Sequence, residues 1–186
     1  MTSNATTVPG YVTGTWNVDT THSEVAFSVR HMMVSKVRGK FNTYSATVVT
    51  AEDPAQSSVT AEIDLGSIDT GNEQRDGHLR SADFFETDKH QQMTYRSTSV
   101  TPKGDDWRVE GDLTLHGITK SVPLTLEING FTADPYGGTR AGFSATGEIS
   151  RADFGIEFNM PMDGGGVVVG DKIQIQIEIE AVLATS

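Results

Sequence analysis

The run Lys172-Ile173-Gln174-Ile175-Gln176-Ile177-Glu178-Ile179 decides how the rest of the chain is read. Four isoleucines fall on one face and four polar residues on the other, a period of two that only an extended strand produces. β-branched side chains suit such a half-buried, pleated surface. Working outward, the same rhythm recurs. Val25, Phe27, Val29 and His31 alternate with Glu24, Ala26, Ser28 and Arg30; Val59, Ala61, Ile63 and Leu65 alternate with Thr60, Glu62 and Asp64. Trp107, Val109, Leu113 and Leu115 share a face, as do Val122, Leu124, Leu126 and Ile128, and then Phe143, Ala145, Gly147 and Ile149. About nine strand-like runs emerge, joined by turn chemistry such as Pro102-Lys103-Gly104-Asp105, His116-Gly117 and Asp134-Pro135-Tyr136-Gly137-Gly138.

Long alternating strands with one apolar face must either pack as two sheets or curl and close, and closure removes the unpaired edges. The expectation is an all-β, antiparallel barrel of about eight strands, with a two-sheet sandwich as the structural alternative. A barrel of that size is just wide enough for side chains or one slender ligand.

One stretch breaks the rhythm. In Asp69–Phe85, DTGNEQRDGHLRSADFF, Asn72 can cap a helix whose first turn holds Glu73. A short helix near residues 72–82 is therefore expected, acting as a lid or end-plug with Leu79, Phe84 and Phe85 turned inward. Arg75 and His78 share one helix face, Asp76 and Arg80 another. Only one of these faces can address the barrel interior.

The 186 residues fit a single domain over 13–186, behind a polar N-terminal tail over 1–12. A net charge of −11 and a pI near 4.7 argue against nucleic acid and against anionic membrane surfaces. No apolar run reaches the roughly 20 residues of a membrane span. Cysteine is absent, which excludes disulfides and thiolate chemistry. The first residues carry neither a basic nor an apolar leader segment, so the expected location is cytoplasmic. The five histidines fall in no compact H-x-x-x-H spacing, and no metal centre is expected from the sequence. No nucleophile elbow or phosphate-cradling loop is present either; the Gly-rich Asp163–Gly170 stretch has no Lys-Ser/Thr and is expected to be a flap near the barrel mouth. Asp19, Asp64, Asp153 and Asp171 fall at strand ends, where turn and cap roles are the ordinary explanation.

Five motifs in order resemble a known family. They are Trp16 through His31 (WNVDTTHSEVAFSVRH), Gly39-Lys40-Phe41, Ile68 through Phe85, Gly111 through Lys120 (GDLTLHGITK) and Ser150 through Gly155 (SRADFG), with Gly170-Asp171-Lys172-Ile173 leading into the last strand. Together they resemble the YceI-like proteins. The resemblance implies a lipocalin-like barrel around an elongated apolar tunnel that holds a polyisoprenoid, polyprenyl phosphate, isoprenoid quinone or similar long amphiphile. It also implies a homodimer, no catalytic residues and no cofactor beyond the lipid. Many relatives are periplasmic or secreted.

On that resemblance the tunnel lining is expected to include Phe27, Val29, Phe41, Leu79, Phe84, Phe85, Met93, Leu113, Leu115, Phe143, Phe154, Ile173 and Ile175. Met32, Met33, Met93, Met160 and Met162 would adapt to a variable ligand. His31, Arg75 and His78 are the expected head-group contacts, Arg through bidentate hydrogen bonds to phosphate. His22 and His116, beside turns, are expected to be structural. The rival readings are a His-dependent or metal-assisted enzyme acting on a lipid through His31 or His78, and a structural dimer whose core is filled.

Overall fold

The computed structural model describes residues 8–160, 162 and 168–185. In chain order it contains β1 (Gly14–Val18), β2 (Glu24–His31), β3 (Ser35–Phe41), β4 (Tyr44–Thr50), β5 (Ser58–Asp64), β6 (Ile68–Asp69), helix α1 (Glu73–Arg80), β7 (Gln92–Lys103), β8 (Asp106–Leu115), β9 (Ile118–Ala133), β10 (Thr139–Ser150) and β11 (Val169–Leu183). All pairings are antiparallel. Where about nine runs are read from the sequence, eleven segments form, because three long strands are each interrupted. β1 and β2 are two halves of one strand, separated by a 3-10 turn at Thr20–His22. β3 and β4 are parted by two residues, and β5 and β6 by the 3-10 turn Leu65–Ser67.

With the halves joined, the barrel has eight strands in simple meander order. It closes where β11 pairs with both halves of the first strand: Trp16 lies opposite Leu183, and Val25 opposite Ile177. Every strand neighbours the next in sequence and the ring closes, and among the described strands only the short β6 keeps one unpaired side.

The interruptions have a chemical cause. Asp19 and Asp64 each fold a carboxylate back onto the backbone N–H two residues on, at 3.0 Å to Thr21 and 2.9 Å to Gly66. This Asx geometry replaces ladder hydrogen bonds and bends the chain. The breaks in neighbouring strands are tied together, since the Asn42 N–H donates to the Ser67 carbonyl at 3.2 Å and the Thr43 N–H to the Ser67 hydroxyl at 3.0 Å. Asp171 acts across the chain instead, accepting from the Ser150 hydroxyl at 2.5 Å and the Ala152 N–H at 3.1 Å and so holding the 3-10 turn after β10. The strand-end aspartates Asp19, Asp64 and Asp171 thus act as turn formers.

The register places α1, the β2–β3 and β8–β9 turns and the β10–β11 connection at one end of the barrel. Residues 8–13 and 184–185 and the β4–β5, β7–β8 and β9–β10 connections lie at the other. Residues 8–12, expected to be part of a loose tail, pack on that second end. The Tyr11 hydroxyl donates to the Ala51 carbonyl at 2.5 Å, and its ring meets Phe131 edge-on at 5.5 Å. Below them Trp16, fully buried, donates from Nε1 to the Thr50 hydroxyl at 2.8 Å. The Gly-rich loop, expected to be a flap, lies mostly outside the described residues.

Candidate functional site

Alternation sends every second side chain of each long strand into the barrel. The result is a cavity of about 300 Å³ running between the two ends, from Tyr11 and Ser57 to Leu79 and Phe85. Of the residues expected to line it, Phe27, Val29, Phe41, Leu79, Phe84, Phe85, Met93, Leu113, Leu115, Phe143, Ile173 and Ile175 do so. Phe154 does not. It is 1 % exposed, sits in the 3-10 turn after β10, and packs into the wall while its carbonyl faces His116. Of the methionines, Met93 lines the cavity, whereas Met32, Met33 and Met160 are exposed.

Helix α1 forms as its capping residue dictates: the Asn72 side chain accepts from the Arg75 N–H at 2.9 Å. Its inward face differs from the expected one. Asp76 is buried and accepts from both the N–H and the hydroxyl of Thr70, at 3.0 and 2.5 Å, while Leu79, three residues on, enters the cavity. That choice turns Arg75 and His78 away. Arg75 reaches back along the surface to the Thr70 hydroxyl and carbonyl, both at 2.8 Å. His78 pairs with Asp83 at 2.8 Å, its ring meeting Phe84 and Phe158 edge-on. His31 ends β2 between Ser35 and Val169. None of the three lines the cavity.

The polar groups that do face it belong to other residues. Arg151 is the one charged lining residue among those described. Although 6 % exposed, its guanidinium donates to the carbonyls of Gly170 (3.0 Å), Ile156 (3.1 Å), Phe158 (2.8 Å) and Val169 (3.2 Å). It clamps the β10–β11 connection over the helix end and lies 6.0 Å from the Phe84 ring centre. Burial pulls its pKa down, with Asp171 opposing, but an arginine stays charged. Four of its five N–H groups are used, leaving one.

Besides Tyr11 at the far end, two tyrosines line the wall. The Tyr95 hydroxyl donates to the Val122 carbonyl at 2.9 Å, and burial pushes its phenol above the usual range. The Tyr44 hydroxyl is buried without a partner, and burial raises its pKa too, so it stays a protonated donor. Neither Arg151 nor Tyr44 stands out in the sequence. Arg151 lies within Ser150–Gly155 as one polar residue among several, and nothing local announces its burial.

The YceI-like domain model matches residues 16–181. The chain belongs to the YceI-like family. Its barrel, helix and axial cavity are accordingly those of a lipocalin-like YceI fold. A UPF0312 protein of Staphylococcus aureus (strain N315) is 38% identical over 164 residues, 87% of this chain and 94% of that protein. Protein YceI of Escherichia coli O17:K52:H18 is 44% identical over 140 residues, 75% of this chain and 73% of that one. Among solved structures, Burkholderia cenocepacia BcnA superposes with a TM-score of 0.76 at 25% identity, covering 90% of this chain and 99% of BcnA. A polyisoprenoid binding domain from Saccharophagus degradans, implicated in plant cell wall breakdown, shares the fold with a TM-score of 0.70 at 20% identity, over 91% of this chain and 98% of that domain.

Among the described residues, two clusters bring metal-ligating groups together. Asp19, His22 and Glu180 converge, but Arg140 already donates to Asp19 at 3.0 Å, Glu180 at 3.1 Å and Asp134 at 2.7 Å. That cluster is an ion-pair network complete in itself. The other, Glu86 with His90 and His116, has no such internal cation between its ligands.

Proposed function

We propose that this YceI-like barrel binds one long-chain amphiphile of the polyisoprenoid class and serves as its carrier or store, without chemical change to the ligand. The observation that carries this reading is the cavity itself: an axial void whose wall is built from apolar side chains of strand after strand. A polar or charged ligand would lose its hydration there with almost nothing in return. A branched hydrocarbon chain gains about 0.8 kcal/mol per buried CH₂ and needs no hydrogen-bond partner.

The polar end of the ligand is met by Tyr44 or Arg151. A quinone carbonyl, a hydroxyl or a phosphate oxygen accepts from the unpartnered Tyr44 hydroxyl or from the remaining Arg151 N–H. The enzyme reading through His31 or His78 finds no support in geometry, since neither imidazole reaches the cavity.

Organic extraction of the purified protein followed by mass spectrometry tests the proposal. About one isoprenoid-type lipid per barrel, or saturable binding of added polyprenols, is the expected result. No stoichiometric lipid together with no binding of polyprenols of any length overturns it. Tyr44→Phe is expected to weaken a ligand with a polar terminus roughly five-fold, the worth of one hydrogen bond, and to leave a plain hydrocarbon unaffected.

A further inference from the structure

Glu86, His90 and His116 lie outside the cavity wall, and two of them follow directly on it. Glu86 comes after the lining residue Phe85, and His116 after the lining residue Leu115. Glu86 and His90 bracket a single turn, opened by the positive φ of Glu86 (+50°) and closed by the His90 N–H donating to the Glu86 carbonyl at 2.9 Å. The β8–β9 turn delivers His116 to the same spot. Its φ of +55° starts a left-handed reversal that Gly117 completes at +75°. The two imidazoles sit with ring centres 4.8 Å apart, and one ligand atom from each of the three residues lies within 4.8 Å of the others.

The decisive detail is the state of the His116 ring. Its Nδ1 is 3.0 Å from the Phe154 carbonyl, which can only accept, so Nδ1 carries the proton. In the neutral ring the Nε2 lone pair is then free. Nε2 is buried, has no hydrogen-bond partner, and faces Glu86 Oε2 at 3.9 Å. In that tautomer the lone pair and the carboxylate oxygen face each other across a gap too long for a hydrogen bond. A histidine anchored by a backbone carbonyl through one nitrogen, with the other presented to a carboxylate and a second imidazole, is the arrangement that ligates a cation. The competing contact is Lys89, whose ammonium lies 3.1 Å from the other Glu86 oxygen, Oε1, and leaves Oε2 available.

We propose that Glu86, His90 and His116 form a binding site for a divalent first-row transition metal of the zinc class. Two imidazoles and a carboxylate suit such an ion at about 2.0–2.2 Å from each donor, which requires the donors to draw to about 3.3–3.5 Å of one another. Small rotations of Glu86 and His90 on their turn accomplish that. Three protein ligands leave a fourth position for water. Bound there, the ion fastens the segment after α1 to the β8–β9 turn and so stiffens the closed end of the barrel. The site stands apart from the cavity, and its existence does not depend on the lipid reading.

The test is a chelator-buffered Zn²⁺ titration of the full chain, with Co²⁺ absorption as a second reading. Wild type is expected to take up one ion, and Glu86→Gln and His90→Gln each to weaken it roughly ten-fold or more. His116→Asn, which keeps a residue tolerant of positive φ in the turn, is expected to do the same. His22→Gln, in the other cluster, is expected to leave affinity unchanged. Melting in the presence of chelator shows whether each variant is folded. The proposal is overturned if wild type binds no ion tighter than about 0.1 mM, if folded E86Q and H90Q bind as wild type does, or if only H22Q loses the ion.

Discussion

Replacing Ala145 by Phe asks directly whether the barrel interior is open. Ala145 lies mid-strand in β10 opposite Leu126 and Ile177, and all three line the cavity. The substitution adds about six carbons to the wall, in space where a ligand chain would lie. If it displaces four to five methylenes of ligand at about 0.8 kcal/mol each, binding weakens by roughly 3–4 kcal/mol, or about 10² to 10³-fold. Folding stability responds in a way that depends on what is there beforehand. In a cavity of about 300 Å³ the new ring meets empty space and makes fresh contacts, so the melting temperature of the ligand-free protein holds or rises. In a filled core the same ring overpacks, costing about 1–3 kcal/mol, and the midpoint falls by roughly 2–4 °C for each kcal/mol. The assay is calorimetric melting of extracted protein beside titration with a fluorescent polyprenol. A markedly lower melting temperature with unchanged lipid binding refutes the open barrel.

Other perturbations test the frame around the cavity. Thr50→Val leaves the buried Trp16 N–H without its acceptor and is expected to cost about 1–3 kcal/mol by urea unfolding, while Thr50→Ser stays near wild type. Gly111→Ala is expected to destabilise by about 1–3 kcal/mol, because a Cβ there would fall 2.3 Å from Cζ of Tyr95; a melting temperature equal to wild type would show that the tyrosine moves aside freely. Asp19 is held well below the ordinary carboxylate value of 3.8, first by the hydrogen bond from His22 and then by that from Arg140. Its contribution to stability is therefore present above that value and is lost as pH falls through the depressed one. His22, raised in turn by Asp19, contributes fully below its ordinary 6.5 and loses that contribution as pH rises through its higher folded value. Asp19→Asn should flatten both limbs of a plot of urea midpoint against pH; an unchanged profile would show that neither group is linked to folding.

The residues that line the cavity were legible because strand alternation is a local property. Ile173 and Ile175 could be assigned inward from their neighbours alone, and Val122 through Ile128 likewise. Asn72 announced the helix by capping chemistry that spans three residues. The errors share a different character. Arg75 and His78 are expected inward because the helix puts them close to the tunnel opening, but Thr70 decides which face turns in. Its N–H and hydroxyl took Asp76 as a partner and rotated the helix accordingly. Phe154 looked like one more aromatic for the lining, yet the turn that holds it buries it in the wall instead.

By itself, then, the sequence determined that the chain is extended, where it turns and which side of each strand is apolar. Those properties depend on neighbours one to four residues apart. Only the tertiary structure decided that three strands break and stay in register, that the last strand closes the ring on both halves of the first, and that Arg151 and Tyr44 rather than Arg75 and His78 bring polarity to the cavity. The same holds for Glu86, His90 and His116, which meet because a helix exit and a distant hairpin arrive at one end of the barrel. Partners of this kind, such as Asp76 with Thr70 or Arg151 with the carbonyls of Ile156 and Gly170, follow no period in the sequence, and the folded chain alone supplies them.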